Sequence, residues 1–344
     1  MESPESNSGL PTSPEDAAFG EALSVHLGDV ERRLTEATAN ADPFIDAASG
    51  HLLRAGGKRL RPLLVLAAAE LGSGFSRQVV DAAAVVELTH VASLYHDDVI
   101  DAAPLRRGAP SAHSKYGNTV AILTGDLLFA RASAIVAGLG PECVLIQAET
   151  FARLCQGQID ETVGPLLGED PIAHHLGVLR DKTASLIAAS AHLGALLGGC
   201  PQSVVASAVA YGEKVGLAFQ LADDLIDLTA DPVRSGKTPG TDLREHVPTM
   251  PALLLQAQAK ADRVAGNSAS DTCQLARILT GDLSDDGALA DAVARLAGHP
   301  VMAEARALAV DWAEAATAEL TPLADGPAKK ALVAFARQAT ARLG

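Results

Sequence analysis

The 344-residue sequence predicts an all-α fold, and three observations carry that reading. Apolar residues return at intervals of three and four in block after block, the period of a helix with one buried face. Hydrophobic residues make up 48% of the chain and much of that is Ala and Leu, strong helix formers, while aromatics reach only 3%. The apolar/polar alternation of a half-buried strand is nowhere convincing.

Along the chain, residues 1–14 are polar and acidic and read as a disordered tail, ahead of one folded unit from 15 to 344. Helices are predicted at about 17–38, 43–55, 60–72, 77–102, 117–138, 142–163, 171–198, 202–229, 249–265, 285–297, 300–320 and 326–342. Breakers fall between them, among them Gly56-Gly57, Pro104, Gly140-Pro141 and Pro232. The longest irregular stretch, DPVRSGKTPGTDLREHVPT at 231–249, holds three prolines and two glycines, which forbid a continuous helix. A loop of that length is more often functional, a lid for example.

Composition removes several function classes. A net charge of -15 and few aromatics argue against a nucleic-acid partner. Cys143, Cys155, Cys200 and Cys273 lie far apart with no CxxC pair, so neither a zinc site nor a disulfide framework is expected, and a reducing cytoplasm fits. The start lacks the basic and apolar segments of a secretory signal. The most lipid-like stretch, Ser185 to Cys200, falls short of the roughly 20 residues a span requires, so no membrane span is predicted.

Two blocks share one pattern, Asp97-Asp98-Val99-Ile100-Asp101 and Asp223-Asp224-Leu225-Ile226-Asp227. In a helix the first and last Asp of each block share a face, with the second about 100° around. Each such like-charged pair costs roughly 1 to 3 kcal/mol, so a compensating cation is required. Magnesium suits, because it takes oxygen from one or two carboxylates and completes its shell with water and phosphate. A lone DDxxD would be better read as a solvated acidic face, but this chain also supplies cations. Gly56-Gly57-Lys58-Arg59-Leu60-Arg61-Pro62 sets positive charge at a helix start, and Arg106-Arg107 follows the first acidic block.

Five stretches together, GGKRLRP (56–62), HVASLYHDDVIDAAPLRRG (90–108), DKTASL (181–186), FQLADDLID (219–227) and GKTPGTDL (236–243), make the chain resemble the trans-polyprenyl diphosphate synthase family from about residue 20 to 340. The resemblance implies a single helical bundle of the isoprenoid synthase type around a deep central cavity, and a homodimer. It implies condensation of isopentenyl diphosphate with an allylic diphosphate to a linear all-trans product. Asp97, Asp98, Asp101, Asp223, Asp224 and Asp227 look like ligands, direct or through water, for three magnesium ions on the allylic diphosphate, with Arg106, Lys182 and Lys237 as its cationic grip. Lys58, Arg61, His90 and Arg107 resemble the metal-free isopentenyl diphosphate pocket. Lys182, Thr183 and Gln220 resemble the catalytic group, the last two presenting oxygen to the developing cation. His90 on its apolar helix also has a plain reading, a core histidine satisfied by the backbone. Where the family reads DLxEGKxTLP, this chain reads Asp242 to Pro251 with His246 and Val247 in place of the Gly-Lys, which puts one late contact to the allylic diphosphate in doubt.

The family limits product length with a bulky side chain just before the first aspartate motif. Here Ser93, Thr89 and Val86, with Ala92 beside them, are small or aliphatic, which implies a product longer than geranylgeranyl and an Ala92→Phe enzyme with shorter products. Phe129 is the candidate to close the floor. A greasy product is expected to bring the protein to a bilayer surface without spanning it. The competing readings are a short-chain farnesyl or geranylgeranyl synthase, a terpene cyclase, and a non-catalytic regulatory subunit of a heteromeric synthase.

Overall fold

The computed structural model describes residues 13–229, 239–341 and 343; Lys237 and the proposed tail up to residue 12 lie outside them. The first helix, α1 (Pro14–Thr38), opens on a capping box in which Ser13 and Asp16 satisfy each other's backbone N–H. Gly50 splits the predicted 43–55 helix into α2 (Pro43–Ser49) and α3 (His51–Arg54). After α4 (Leu60–Ala69), the long α5 (Arg77–Ile100) starts on a Ser76 cap and carries the first acidic block to its C-terminus.

The small hairpin after α5 escaped the sequence reading. Leu105–Arg106 (β1) and Ala109–Pro110 (β2) form an antiparallel ladder pairing Leu105 with Pro110 and Arg106 with Ala109. Two-residue strands are too short to show alternation. The short α6 (Ala112–Tyr116) leads into α7 (Asn118–Ala137) and α8 (Pro141–Val163). The predicted 171–198 helix is not continuous, because α9 (Pro171–Leu179) and α10 (Ser185–Leu197) meet through a π-helical turn, Arg180–Ala184. Such turns recur at functional sites because they re-aim side chains out of the regular helical register.

The second acidic block ends α11 (Gln202–Thr229). Beyond it lie α12 (Thr241–Arg244), α13 (Met250–Val264), α14 (Asp271–Leu279), α15 (Asp286–Ala297), α16 (Val301–Glu319) and α17 (Pro327–Ala341). Helix α14 was not predicted; its nine residues, capped by Ser270, are too few for periodicity to stand out.

The core lies around α5, α10 and α11. Leu186, Ala189 and Leu193 of α10 pack with α5 and α7, Ile187 and Ala191 pack with α4 and α17, and Leu217, Leu221 and Leu225 of α11 pack with α13 to α16. Close approach depends on Gly216, where a Cβ would sit 2.5 Å from the Ala184 Cα. Of the described helices, α7 and not 185–197 is long and apolar enough to cross a membrane by length and composition. It packs one face, Ala121, Gly125, Leu128, Ala132 and Val136, beside α5 and leaves Ile122 and Leu123 exposed on another.

Candidate active site

The C-terminal ends of α5 and α11 open on one cavity of about 1050 Å³. Helix α5 contributes Glu87, His90, Ser93, Asp97 and, at its C-cap, Asp101; helix α11 contributes Gln220 and Asp223. Lys58 and Arg61 come from the segment before α4 and its first turn, Arg106 and Arg107 from the hairpin, and Lys182 and Thr183 from the π turn. The fold thus gathers eleven of the predicted site residues from five places in the chain, with Ser93 beneath them.

Gly157 in α8 sets the height of the π turn, since a Cβ there would lie 2.5 Å from the Lys182 backbone N. Lys182 is then held by an ion pair with Glu161, one turn farther along α8. Arg107 adopts φ of 54° and donates to the carbonyls of Leu52 and Gly56, which fixes the glycine loop beneath it. Arg59, to which sequence reasoning gave no role, also has positive φ and is only 6% exposed. It pairs with Glu87 at 2.9 Å and Glu31 at 2.5 Å, tying the loop to α5 and α1. The available signal was Glu87, a single acid in the apolar run AVVELTH.

Burial and charge tune the titratable groups. Burial above all, with Asp101 and Glu161 adding repulsion against the pull of Lys182 and Arg106, raises the Asp97 carboxyl to about 6. Asp101 is shifted the same way, again chiefly by burial. Burial first, then Arg61, Arg107, Arg106 and Arg59, pushes His90 well below its ordinary value, so it meets a ligand as a neutral imidazole. Arg61 is half-buried, and its Nε, itself out of solvent, has no hydrogen-bond partner among the described residues, a donor left for a ligand.

Two predicted metal ligands, the second aspartate of each block, turn into the packing. Asp98 is fully buried and its Oδ1 accepts from Arg106 Nε at 2.6 Å, so the second aspartate holds the hairpin arginine. Asp224 accepts from His175 Nε2 at 3.0 Å and from the Met250 N–H at 2.9 Å, anchoring α9 and α13. The cause is the helical period: about 100° past the cavity-facing residue, each points into the packing. Asp227 accepts the Asp242 N–H at 3.4 Å and so bears on the segment that carries α12.

The chain-length positions divide likewise. Ser93 lines the cavity, whereas Ala92, Thr89 and Val86 are at most 1% exposed in the packing of α5. At about 100° per residue Ala92 lies some 140° from Asp97, and its carbonyl faces Gly125 of α7. Two phenylalanines stand on the cavity wall, Phe219 of α11 and Phe151 of α8, the latter missed by the sequence reading; Phe129 stands behind Phe151 with ring centroids 4.2 Å apart.

The donor set fits a hard divalent cation. Asp97, Asp101 and Asp223 offer only carboxylate oxygen toward the cavity. No group of three His, Cys, Asp or Glu converges among the described residues, so an ion held here would take the rest of its shell from water and phosphate.

Comparison with known proteins agrees with this geometry. A family model described as polyprenyl synthetase matches residues 42–280. Nonaprenyl diphosphate synthase of Mycobacterium tuberculosis is 41% identical over 330 residues, 96% of each chain. Heptaprenyl diphosphate synthase component 2 of Geobacillus stearothermophilus is 39% identical over 261 residues, 75% of this chain and 82% of that one. The crystal structure of geranylgeranyl pyrophosphate synthase from Corynebacterium glutamicum, complexed with calcium and isoprenyl diphosphate, matches with a TM-score of 0.82 at 37% identity, covering 98% of this chain and 99% of that one. An all-helical fold, a cavity between two aspartate-bearing helices and a match over most of the length lead to one statement: the chain belongs to the polyprenyl synthetase family.

Proposed function

We propose that this protein is a magnesium-dependent prenyltransferase that joins isopentenyl diphosphate to an allylic diphosphate and releases a linear all-trans diphosphate longer than C20. The observation that carries this is the single cavity in which Asp97, Asp101 and Asp223 share the space with Lys58, Arg61, Arg106, Arg107 and Lys182. Carboxylates without cations would hold metal alone, and cations without carboxylates one anion; together they suit two diphosphates, one of them metal-bound. Asp97, Asp101 and Asp223 would hold magnesium, which when bound supplies charge neutralisation at the allylic diphosphate.

Arg106 and Lys182 grip that diphosphate, and Lys182 leaves Glu161 to do so. The allylic C–O bond breaks with its electron pair going to the diphosphate, and the positive charge left on carbon faces the oxygens of Thr183 and Gln220. Lys58, Arg61, Arg107 and neutral His90 hold isopentenyl diphosphate so that its π pair forms the new C–C bond. Loss of a proton to the released diphosphate restores the alkene. Phe151, Leu154 and Ile159 keep water from the cation. The small Ser93 and the 41% identity to a nonaprenyl synthase support the longer product.

Two copies are proposed to pair through α7 and α8, where Ile122, Leu123, Val144 and Leu145 stand 40 to 60% exposed. Free thiols at all four cysteines suit the reducing cytoplasm. A second reading, the catalytic half of a two-component synthase, draws on the relative named component 2. Purified protein given magnesium, isopentenyl diphosphate and allylic primers from C5 to C20 is expected to extend at least one primer without a partner. Elongation only after adding a second chain would favour the two-component reading, and a cyclised hydrocarbon would replace both.

A further inference from the structure

Away from the central cavity, a groove of about 570 Å³ opens between the start of α9 and the paired helices α13 and α14. Ile172, Leu253 and Ala276 give it an aliphatic lining, and Lys260, Arg263 and Arg277 stand at its exposed rim. Three cations around one small groove are unexpected in a chain of net charge -15. Nearby arginines have acidic partners, Arg295 with Asp271 at 2.7 Å and Arg244 with Asp286 at 2.5 Å. Among the described residues Lys260, Arg263 and Arg277 form no ion pair. Arg263 and Arg277 donate only to backbone carbonyls, of Ala259 at 3.1 Å and Ser268 at 2.9 Å. Asp170 is the acid in the lining, and its carboxylate accepts the Ile172 N–H that caps α9.

Like charges gathered without partners favour an anion, and guanidinium groups fork onto phosphate oxygens. The volume lies within the roughly 300–1,000 Å³ of small-molecule sites, and the aliphatic lining asks for hydrocarbon. We propose that this groove is a second binding site, for a phosphate or diphosphate monoester carrying a short hydrocarbon tail. It stands apart from the reading of the central cavity and does not depend on it. The site is also coupled to that cavity: Ile172 is one turn from His175 and Leu253 one turn from Met250, the two residues that hold Asp224 of α11. An occupant that draws α9 and α13 together therefore bears on the helix carrying Gln220 and Asp223.

The test is hydrogen exchange on the full chain in magnesium-free buffer with decyl phosphate below its micellar concentration. Saturable protection is expected in segments 253–263 and 272–280. The K260E/R277E variant should lose at least tenfold in apparent affinity while its turnover without decyl phosphate stays unchanged. Inorganic phosphate should bind at least tenfold more weakly. Protection confined to the central cavity, or indifferent to the charge reversal, overturns the site. Equal binding of inorganic phosphate overturns the hydrocarbon part. Protection by phosphatidylglycerol vesicles but not by monomeric decyl phosphate replaces it with a membrane surface. Saturating decyl phosphate should alter turnover of the wild type and not of K260E/R277E; no change in the wild type rejects the coupling.

Discussion

Asp97 shows most directly how one side chain trades stability for chemistry. Its carboxyl is raised from 3.8 to about 6, so between those values the folded state binds more protons than the unfolded one. Stability of the metal-free protein therefore falls as pH rises through that window and stays lower above it. Asp97→Asn removes the penalty: at pH 7.5 without metal it should stabilise the fold by about 1 to 3 kcal/mol in urea unfolding, while turnover drops by orders of magnitude. A destabilised Asn variant would contradict this origin of the shift. Arg59 carries the opposite expectation. Arg59→Ala leaves Glu87, 2% exposed, with the more distant Arg107, at 4.0 Å, as its ion-pair partner among the described residues, and should cost about 2 to 4 kcal/mol in the same measurement. An unchanged midpoint would show that the pair does not hold the glycine loop. Most cavity-facing residues were legible from motif spacing, because residue type and period fix which face a charge occupies. Asp98, Asp224 and Arg59 were not, because whether a charge points at ligand or at a buried partner depends on helices distant in sequence.

At the scale of elements, α8 and the π turn position the chemistry; Lys182 and Thr183 were legible from their motif, but the turn that carries them and the part α8 plays were not. Four polar residues, Arg180 to Thr183, interrupt the apolar stripe over 171–198, but polarity alone does not announce the extra residue of a π turn. Gly157→Ala should push the turn away and lower turnover at least tenfold with helical content unchanged by circular dichroism; wild-type turnover would mean that the turn yields freely. The same wall sets product length. Ser93→Phe should shorten the chain products, and Phe151→Ala, which removes the ring on the opposite wall, should lengthen them, both read as product masses in extracted lipid. An unchanged ladder in both variants would place the stop elsewhere. The helix pattern itself was readable for most elements because each long helix has one buried face. The exceptions, β1, β2, α6, α12 and α14, are too short for a period to emerge.

For the whole molecule, α10 and α11 each pack into two of the three hydrophobic clusters, so no cluster can open without exposing another. One cooperative unfolding transition is expected, with coincident midpoints by fluorescence of Trp312 and by circular dichroism; separated midpoints would divide the chain into independent units. Bundle and cavity arise from where the sequence places its two acid-ended helices, and the central claim is that those ends act jointly. Steady-state elongation by Asp97→Ala and Asp223→Ala, each shown folded, measures that claim most directly. Both variants should fall by at least a thousandfold, and near-normal elongation by either would contradict it.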